Sequence, residues 1–234
     1  MKQYDRSVFR PYDIRGIVPD QIDSDFAEQV GRAFAHHLKP KTVVVGHDVR
    51  TTAREFHTRT IEGLVASGVD VIDIGQVSTD AYYYACGSRG VPGLMVTASH
   101  NPAAYNGFKM VRHLPHLVLA REFAPEVLDQ TYADAATRGQ VTKIDIIDEF
   151  LDRLLEIVKP EAIKPLKVVV DTSNGAQGPI WERLLKRLPQ LTVIPLFFEP
   201  DGTFPNHGND VIQPENQEKL RVAVKRERAD LGLI

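Results

Sequence analysis

The stretch Thr97–Met110, TASHNPAAYNGFKM, places three groups capable of chemistry close together, directly after the apolar run VPGLMV. They are the hydroxyl of Ser99, the imidazole of His100 and the ammonium of Lys109. A serine hydroxyl is a weak nucleophile that needs a base and an electrostatic partner, and His100 and Lys109 could supply them. Serine, asparagine and proline also form turns for purely local reasons. The composition of the loop alone slightly favours a plain turn.

The position of this loop strengthens the chemical interpretation. Ser99 follows a predicted strand at 93–98, and open α/β sheets bind their ligands at the carboxyl ends of strands. The NP dipeptide at 101–102 disfavours helix, and NG at 106–107 predicts a second tight turn that leads into the strand bearing Lys109. The segment is therefore predicted to be a loop with a strand at each end. A serine hydrolase is disfavoured, because no G-x-S-x-G elbow surrounds Ser99.

Three other segments offer weaker cues. FRPYDIRGI, residues 9–17, combines Tyr12 with Arg15; arginine suits bidentate phosphate binding, although a surface Asp–Arg pair is the commoner explanation. GHDVR, residues 46–50, is interpreted as a salt-bridged strand end. DTSNGAQGP, residues 171–179, predicts a strand, a loop and a helix whose N-terminus could hold an anion. It matches neither a P-loop nor G-x-G-x-x-G.

Length and composition limit the class of protein. The 234 residues have room for one large domain or two ordinary ones. Scattered charges, 28 basic and 31 acidic, give a net charge of −3 and no sign of a nucleic-acid or membrane partner. The single cysteine, Cys86, cannot form an internal disulfide, which fits a reducing compartment. With no signal-peptide pattern and no apolar run near ~20 residues, we expect a cytoplasmic protein that binds neither nucleic acid nor membrane.

Apolar patterning predicts alternating strands and helices. Short β-branched runs predict strands at 41–48, 69–75, 93–99, 108–111, 166–173 and 191–197. Helical periodicity predicts helices at 24–38, 52–67, 120–138, 145–158 and 178–188, and one more that begins near Ser78 or Thr79. Asp23 or Ser24 is a predicted helix cap, and Thr52 with Glu55 has the spacing of a capping box.

This alternation indicates an α/β architecture with a mainly parallel sheet. The polar stretch TRGQVTK, residues 137–143, lacks a periodic pattern and predicts a domain boundary. We therefore expect two units, at 1–140 and 141–234.

Taken together, four segments resemble the α-D-phosphohexomutase family, in particular phosphomannomutase/phosphoglucomutase. In chain order they are FRPYDIRG, VTASHNPAAYNGFKM, VVVDTSNGAQGP and PDGTFPNHGND…PEN. The likeness runs from about Phe9 to the last residue, and the serine loop is its most specific part. It implies two consecutive α/β/α sandwich units with mixed, mainly parallel sheets, the second of them truncated.

The resemblance also implies a mechanism. Ser99 would be the residue that is phosphorylated in the resting enzyme. Its phosphoryl group would pass to a hexose monophosphate, and the resulting bisphosphate would reorient and return its other phosphate. His100, Lys109 and Arg15 match catalytic positions, and Tyr12, Arg15 and Lys109 match substrate-binding positions. Whether His100 or Lys109 transfers a proton or stabilises charge stays open.

The resemblance further implies Mg²⁺ and a hexose 1,6-bisphosphate activator. In the family the metal lies between the serine phosphate, here on Ser99, and three aspartates of a D-G-D-x-D-R loop. The strand expected before that loop matches ADLGLI, residues 229–234, so the aspartates and the family's third and fourth domains are expected beyond Ile234. FPNHGNDVIQPEN also lacks two prolines of the family pattern. We expect residues 1–234 alone to fold at least in their first domain, bind Mg²⁺ weakly and show no turnover.

The expected function of the parent protein is interconversion of hexose 1- and 6-phosphates, with mannose or glucose as the sugar. Phosphoglucosamine mutase shares the serine loop and is the alternative enzyme. A non-catalytic sugar-phosphate-binding or regulatory half-protein is the alternative from another class. An Asp-rich loop after residue 234 would distinguish enzyme from half-protein.

Overall fold

The contacts in a computed structural model, which describes residues 3–234, divide the chain into two units. The first comprises residues up to Ser99 together with Ala104–Ile146, and the second comprises His100–Ala103 and Ile147–Ile234. The sequence places the boundary a few residues earlier, at 140. The difference arises because a short strand, Val141–Lys143, pairs with the sheet of the first unit.

The first unit contains most of the regular structure. Its strands are β1 Ile14–Ile17, β2 Thr42–His47, β3 Asp70–Gln76, β4 Gly93–Val96, β5 Tyr105–His113, β6 His116–Leu117 and β7 Val141–Lys143. Its helices are α1 Ser24–Leu38, α2 Ala53–Ala66, α3 Thr79–Arg89 and α4 Ala120–Asp129, and a 3-10 turn covers Arg6–Val8.

The strands of this unit form one sheet in the order β1-β5-β4-β2-β3-β7, with β6 beside the end of β5. Strands β4, β2, β3 and β7 are mutually parallel, whereas β5 runs antiparallel to both β1 and β4. The main core includes five fully buried rings, Phe26, Phe34, Phe56, Phe108 and Phe123. Burial of each such ring contributes about 1.5–3 kcal/mol, and the same core includes Leu94 and Val96 of β4, the strand that leads to Ser99.

One predicted helix cap forms, at Asp23, and the helix predicted to begin near Ser78 or Thr79 also has a cap. The Asp23 carboxylate accepts a hydrogen bond from the Phe26 amide at 2.9 Å at the start of α1, and Ser78 caps α3. The predicted capping box at Thr52 is wrong, since this residue has a helical backbone conformation and makes no side-chain cap bond. Its hydroxyl instead accepts a hydrogen bond from the buried Asn106 side chain.

The second unit is smaller. Its strands are β8 Leu166–Asp171, β9 Leu191–Leu196 and β10 Leu231–Leu233, all parallel in the order β10-β8-β9. Its helices are α5 Ile147–Val158, α6 Gln177–Leu185 and α7 Glu218–Glu227, with 3-10 turns at Pro160–Ala162 and Pro214–Gln217. Both units thus have the expected α/β architecture. Within residues 3–234, no helix is both long and apolar enough to cross a membrane.

Candidate active site

Ser99 is exposed, three residues after the end of β4, and its backbone has a φ of 53°. This left-handed conformation costs a non-glycine residue about 1–2 kcal/mol. Two contacts maintain it: the Ser99 amide donates to Thr97 Oγ1 at 2.9 Å, and its carbonyl oxygen accepts from Arg50 Nη2 at 2.8 Å. Backbone strain that the surrounding structure supports is a feature of functional sites.

A cluster of charges lies beside this turn. The register of the β1–β5 pair, extended by one residue, places Asp13 opposite Lys109. The Asp13 carboxylate accepts from Arg15 Nε and Nη2, at 2.9 and 2.7 Å, and lies 3.9 Å from Lys109 Nζ. The remaining arm of Arg15 donates to the carbonyl oxygen of Ala98 at 3.1 Å. Two candidate cations that are distant in sequence therefore meet at Asp13, and one of them, Arg15, contacts the residue before Ser99.

The pairing of β1 with β5 depends on Gly107, the residue opposite Arg15. A Cβ atom at Gly107 would lie 1.8 Å from the carbonyl oxygen of Ile14, so only glycine permits this approach. The predicted tight turn at Asn106–Gly107 is wrong, because β5 already begins at Tyr105. The buried Asn106 side chain accepts from the Gly107 amide within the strand, which is why the NG pair occurs in a strand here.

Partial burial shapes the electrostatics of the cluster. Burial lowers the pKa of Lys109, and the neighbouring Arg15 lowers it further, whereas Asp13 acts in the opposite direction. An anion placed beside the ammonium would favour its charged form. The site is therefore suited to a ligand that brings negative charge.

Sequence analysis missed Arg50 as a candidate. Its side chain is fully buried, and burial lowers the pKa of its guanidinium against the opposing effect of Asp48. Nε lies 3.4 Å from Asp48 Oδ2, while Nη1 and Nη2 donate to the carbonyl oxygens of Tyr105 and Ser99. A signal existed in GHDVR, where an acid and a base follow a buried strand of the same sheet. The sequence could not show that this arginine reaches the serine loop.

Two other predicted residues are exposed. Tyr12 leaves 67% of its surface accessible, next to Asp13. His100 is exposed directly after Ser99, and its contacts group it with the second unit. The structure thus brings Arg15 and Lys109 together at Asp13, links Arg15 to the residue before Ser99, and leaves Tyr12 and His100 exposed. Their individual roles stay predictions.

The described residues do not fit Mg²⁺ on their own. Mg²⁺ requires near-octahedral oxygen ligands, and across residues 3–234 there is no group of three or more His, Cys, Asp or Glu side chains that could hold a metal. The carboxylates nearest the serine loop, Asp13 and Asp48, already contact Arg15 and Arg50. A phosphate on Ser99 would be the main source of oxygen ligands for Mg²⁺ at the serine loop.

The DTSNGAQGP segment forms a second loop, after β8. Ser173 and Asn174 both have positive φ, at 54° and 55°. The buried Asp171 carboxylate accepts from the Ser173 amide at 2.8 Å and lies 3.2 Å from His207 Nε2. The Asn174 side chain donates to the Glu199 carbonyl oxygen at 2.8 Å. The polar groups of this loop are bound mainly by one another and by nearby backbone.

Fold and site together define a two-unit α/β protein with a serine loop of the phosphohexomutase type. The family profile described as phosphoglucomutase/phosphomannomutase, alpha/beta/alpha domain I, matches residues 6–130. The profile described as alpha/beta/alpha domain II of the same family matches residues 148–234. The chain therefore belongs to the phosphoglucomutase/phosphomannomutase family.

Named relatives agree with this assignment. A phosphomannomutase of Salmonella montevideo is 37% identical, and a Xanthomonas campestris pv. campestris protein named phosphohexose mutases is 39% identical. Each alignment covers 96% of this chain but 52% and 51% of the relative, so the chain spans about half the length of these relatives. A crystal structure of a phosphoglucomutase/phosphomannomutase family protein from Burkholderia thailandensis is 34% identical. It matches with a TM-score of 0.86 over 98% of this chain and 52% of that one.

Proposed function

We propose that this chain is the serine-bearing part of a phosphohexomutase that interconverts hexose 1-phosphates and 6-phosphates through a phosphoserine at Ser99. One observation carries the proposal: an exposed serine in a strained turn, with Arg15 bound to the carbonyl of the residue before it and Lys109 nearby. Cations around a serine suit a group that carries phosphate rather than one that attacks an acyl carbon. Family membership supports the same reaction class.

In the proposed reaction, a sugar hydroxyl oxygen attacks the phosphorus on Ser99. A new P–O bond forms to the sugar, the bond between phosphorus and Ser99 Oγ breaks, and the sugar hydroxyl proton leaves to a base while Oγ regains a proton. The bisphosphorylated sugar then reorients and the steps run in reverse with its other phosphate. Such transfers depend on positioning and charge neutralisation, which Arg15 and Lys109 would provide. His100 is the nearest candidate in sequence for the proton.

The proposed substrates are mannose and glucose phosphates. Support comes from the relatives named phosphomannomutase and phosphohexose mutases. A hexose 1,6-bisphosphate would act as the activator because it can transfer a phosphate to unphosphorylated Ser99. Tyr12 offers an exposed aromatic face beside the charge cluster for the sugar. Turnover of mannose, glucose and glucosamine phosphates, measured side by side, would identify the preferred sugar and test the phosphoglucosamine alternative.

The proposed phosphoserine can be tested directly. The purified protein is incubated with glucose 1,6-bisphosphate and analysed by intact-mass and peptide mass spectrometry. We expect one phosphate, located on Ser99, and its loss upon addition of mannose 6-phosphate. Phosphate on another residue, or full turnover of Ser99→Ala, would refute the proposal.

The divalent cation expected from the family resemblance needs oxygen ligands besides the Ser99 phosphate, and the described residues do not supply them. We therefore propose that a polypeptide of residues 1–234 binds Mg²⁺ weakly and shows no mutase turnover by itself. A coupled assay with Mg²⁺ and the bisphosphate, run on this polypeptide and on the protein as its gene encodes it, tests the point. Equal turnover would overturn it.

A further inference from the structure

Arg50 is the most deeply buried charged side chain near the serine loop, with no exposed side-chain surface. A buried guanidinium is costly unless it is paired and hydrogen-bonded. Its contacts therefore reveal what it stabilises. We propose that Arg50 is a positioning residue that holds Ser99 in the geometry for phosphoryl transfer, an inference that rests on the proposed function.

The contacts of Arg50 join the two ends of the loop. Nη2 donates to the carbonyl oxygen of Ser99 at 2.8 Å, and Nη1 donates to that of Tyr105 at 2.7 Å, where β5 begins. Because the guanidinium is planar and its donors have fixed directions, it sets the spacing of these two oxygens. Asp48 Oδ2, 3.4 Å from Nε, supplies the opposite charge that faces the guanidinium.

This bridge also fixes the direction of the Ser99 side chain. Two successive carbonyl oxygens, those of Ala98 and Ser99, are each bound by a different arginine, Arg15 and Arg50. The peptide groups on both sides of Ser99 are therefore fixed in orientation. With both peptide planes held, the φ of 53° and the direction of the Cα–Cβ bond follow.

The consequence for the reaction is geometric. Phosphoryl transfer requires the attacking oxygen, the phosphorus and the leaving oxygen to lie roughly in line. A displacement of about 1 Å can reduce the rate about 100-fold. Arg50 reaches backbone oxygens of the loop and would act on the reaction through the position of Ser99.

The test is Arg50→Lys in the protein as its gene encodes it. A lysine keeps the positive charge but cannot donate from one rigid plane to both oxygens. We expect kcat to fall about 100-fold while KM changes less than about 3-fold. Amide hydrogen exchange in the peptide covering 97–106 should accelerate. The matched control is Arg32→Lys, at an ion-paired arginine of the first unit that is partly buried, and it should leave kcat and this exchange unchanged.

Chemical rescue separates positioning from a general loss of structure. Methylguanidinium added to Arg50→Gly should restore kcat at least about tenfold. It can replace the two guanidinium donors in the space that the missing side chain leaves. If the Arg50 variants do not fold, Asp48→Asn replaces them, because it loosens the guanidinium without removing it. It should lower kcat and accelerate exchange at 97–106 in the same direction.

Unchanged kcat in Arg50→Lys, or in Asp48→Asn when the Arg50 variants are unfolded, would overturn the inference. Losses that track only the unfolded fraction and resist methylguanidinium would overturn it as well. Failure of the proposed function would be detected separately. In that case the protein without any substitution would carry no phosphate on Ser99, whatever the Arg50 variants do.

Discussion

Two loops of this chain have similar backbone positions but are bound by different side chains. Each follows a parallel strand and each contains serine in the left-handed region, Ser99 after β4 and Ser173 after β8. The carbonyls at and before Ser99 are bound by the arginines Arg50 and Arg15. The loop that contains Ser173 is bound by its own aspartate, by asparagine amides and by backbone carbonyls.

The two loops therefore share a serine with positive φ after a strand and differ in the side chains that bind them. The first loop differs because positively charged side chains from other elements surround it. They are Arg15 on β1, Arg50 shortly after β2 and Lys109 on β5. Asp171 in the second loop faces a histidine and a backbone amide within its own unit. We therefore interpret the second loop as one that stabilises its own unit, and the first loop as one that takes part in the proposed reaction.

The largest expected effect comes from exchanging the two serines for alanine. In the protein as its gene encodes it, Ser99→Ala should abolish phosphate incorporation and lower turnover by on the order of 10³-fold or more, since it removes the group that carries the phosphate. Ser173→Ala is the matched control and should leave both nearly unchanged. Mass spectrometry and the coupled mutase assay measure the two effects, and similar losses in both variants would remove the distinction between the loops.

The cations of the first loop should matter for the reaction more than for folding. Arg15→Gln and Lys109→Met should each lower kcat/KM about 100-fold, because each removes charge stabilisation from the transferred phosphoryl group. Because both side chains are partly buried beside Asp13, the free energy of unfolding should fall by about 1–3 kcal/mol, which leaves the protein folded. Steady-state kinetics and urea unfolding provide the two measurements.

The control for the cations is Arg187→Gln. Arg187 forms ion pairs with Asp148 and Asp152 in the second unit, and its removal should affect turnover little. A loss of kcat/KM in this variant as large as that in Lys109→Met would show that the charge near Ser99 is not special.

In the second loop we expect the opposite balance. Asp171→Asn should reduce the free energy of unfolding by about 1–3 kcal/mol, because it weakens a buried, charge-assisted set of hydrogen bonds. Turnover of the folded protein should stay close to that of the parent. Urea unfolding tests the first expectation, with Glu182→Gln, an exposed carboxylate of α6 in the same unit, as a control that should change stability little. A selective loss of turnover with unchanged stability would contradict the structural interpretation.

The smallest effect concerns pH and the first unit's own histidine–carboxylate pair. Asp73 Oδ1 lies 2.9 Å from His57 Nε2. Burial acts to raise the pKa of Asp73, but the close contact with His57 and the hydrogen bond from the Gly75 amide outweigh it and lower the pKa. Because the pKa of Asp73 is lower in the folded state, its carboxylate stabilises the fold at pH values above the unfolded-state pKa of about 3.9. This contribution is lost as pH falls through the folded-state pKa.

We therefore expect Asp73→Asn to cost about 1 kcal/mol at neutral pH. The difference from the parent should shrink in acid, below about pH 4. Unfolding free energies of both proteins, measured across the acidic range, test this sign. A difference that grows on acidification would contradict the assigned direction.

The sequence alone determined the elements and the most prominent candidate. β-Branched runs closed by small or polar residues predicted β2, β3, β4, β8 and β9, and apolar periodicity predicted α1 with its start at Ser24. These features depend on interactions between residues close in sequence, so local patterns suffice. Ser99 stood out for the same reason, as a hydroxyl in a short, unusual motif at a strand end. Its exposure at the end of β4 is confirmed; its phosphorylation stays a prediction.

Only the tertiary structure decided what surrounds Ser99. The convergence of Arg15 and Lys109 on Asp13 follows from the antiparallel register of β1 against β5, which joins segments almost a hundred residues apart. The NG pair lies in a strand rather than a turn because the backbone of β1 approaches Gly107. Arg50 appears in the sequence as part of a salt-bridged strand end, and only burial directs its guanidinium to two backbone oxygens. Strand register and burial are set by packing between distant segments, and a local pattern does not contain that information.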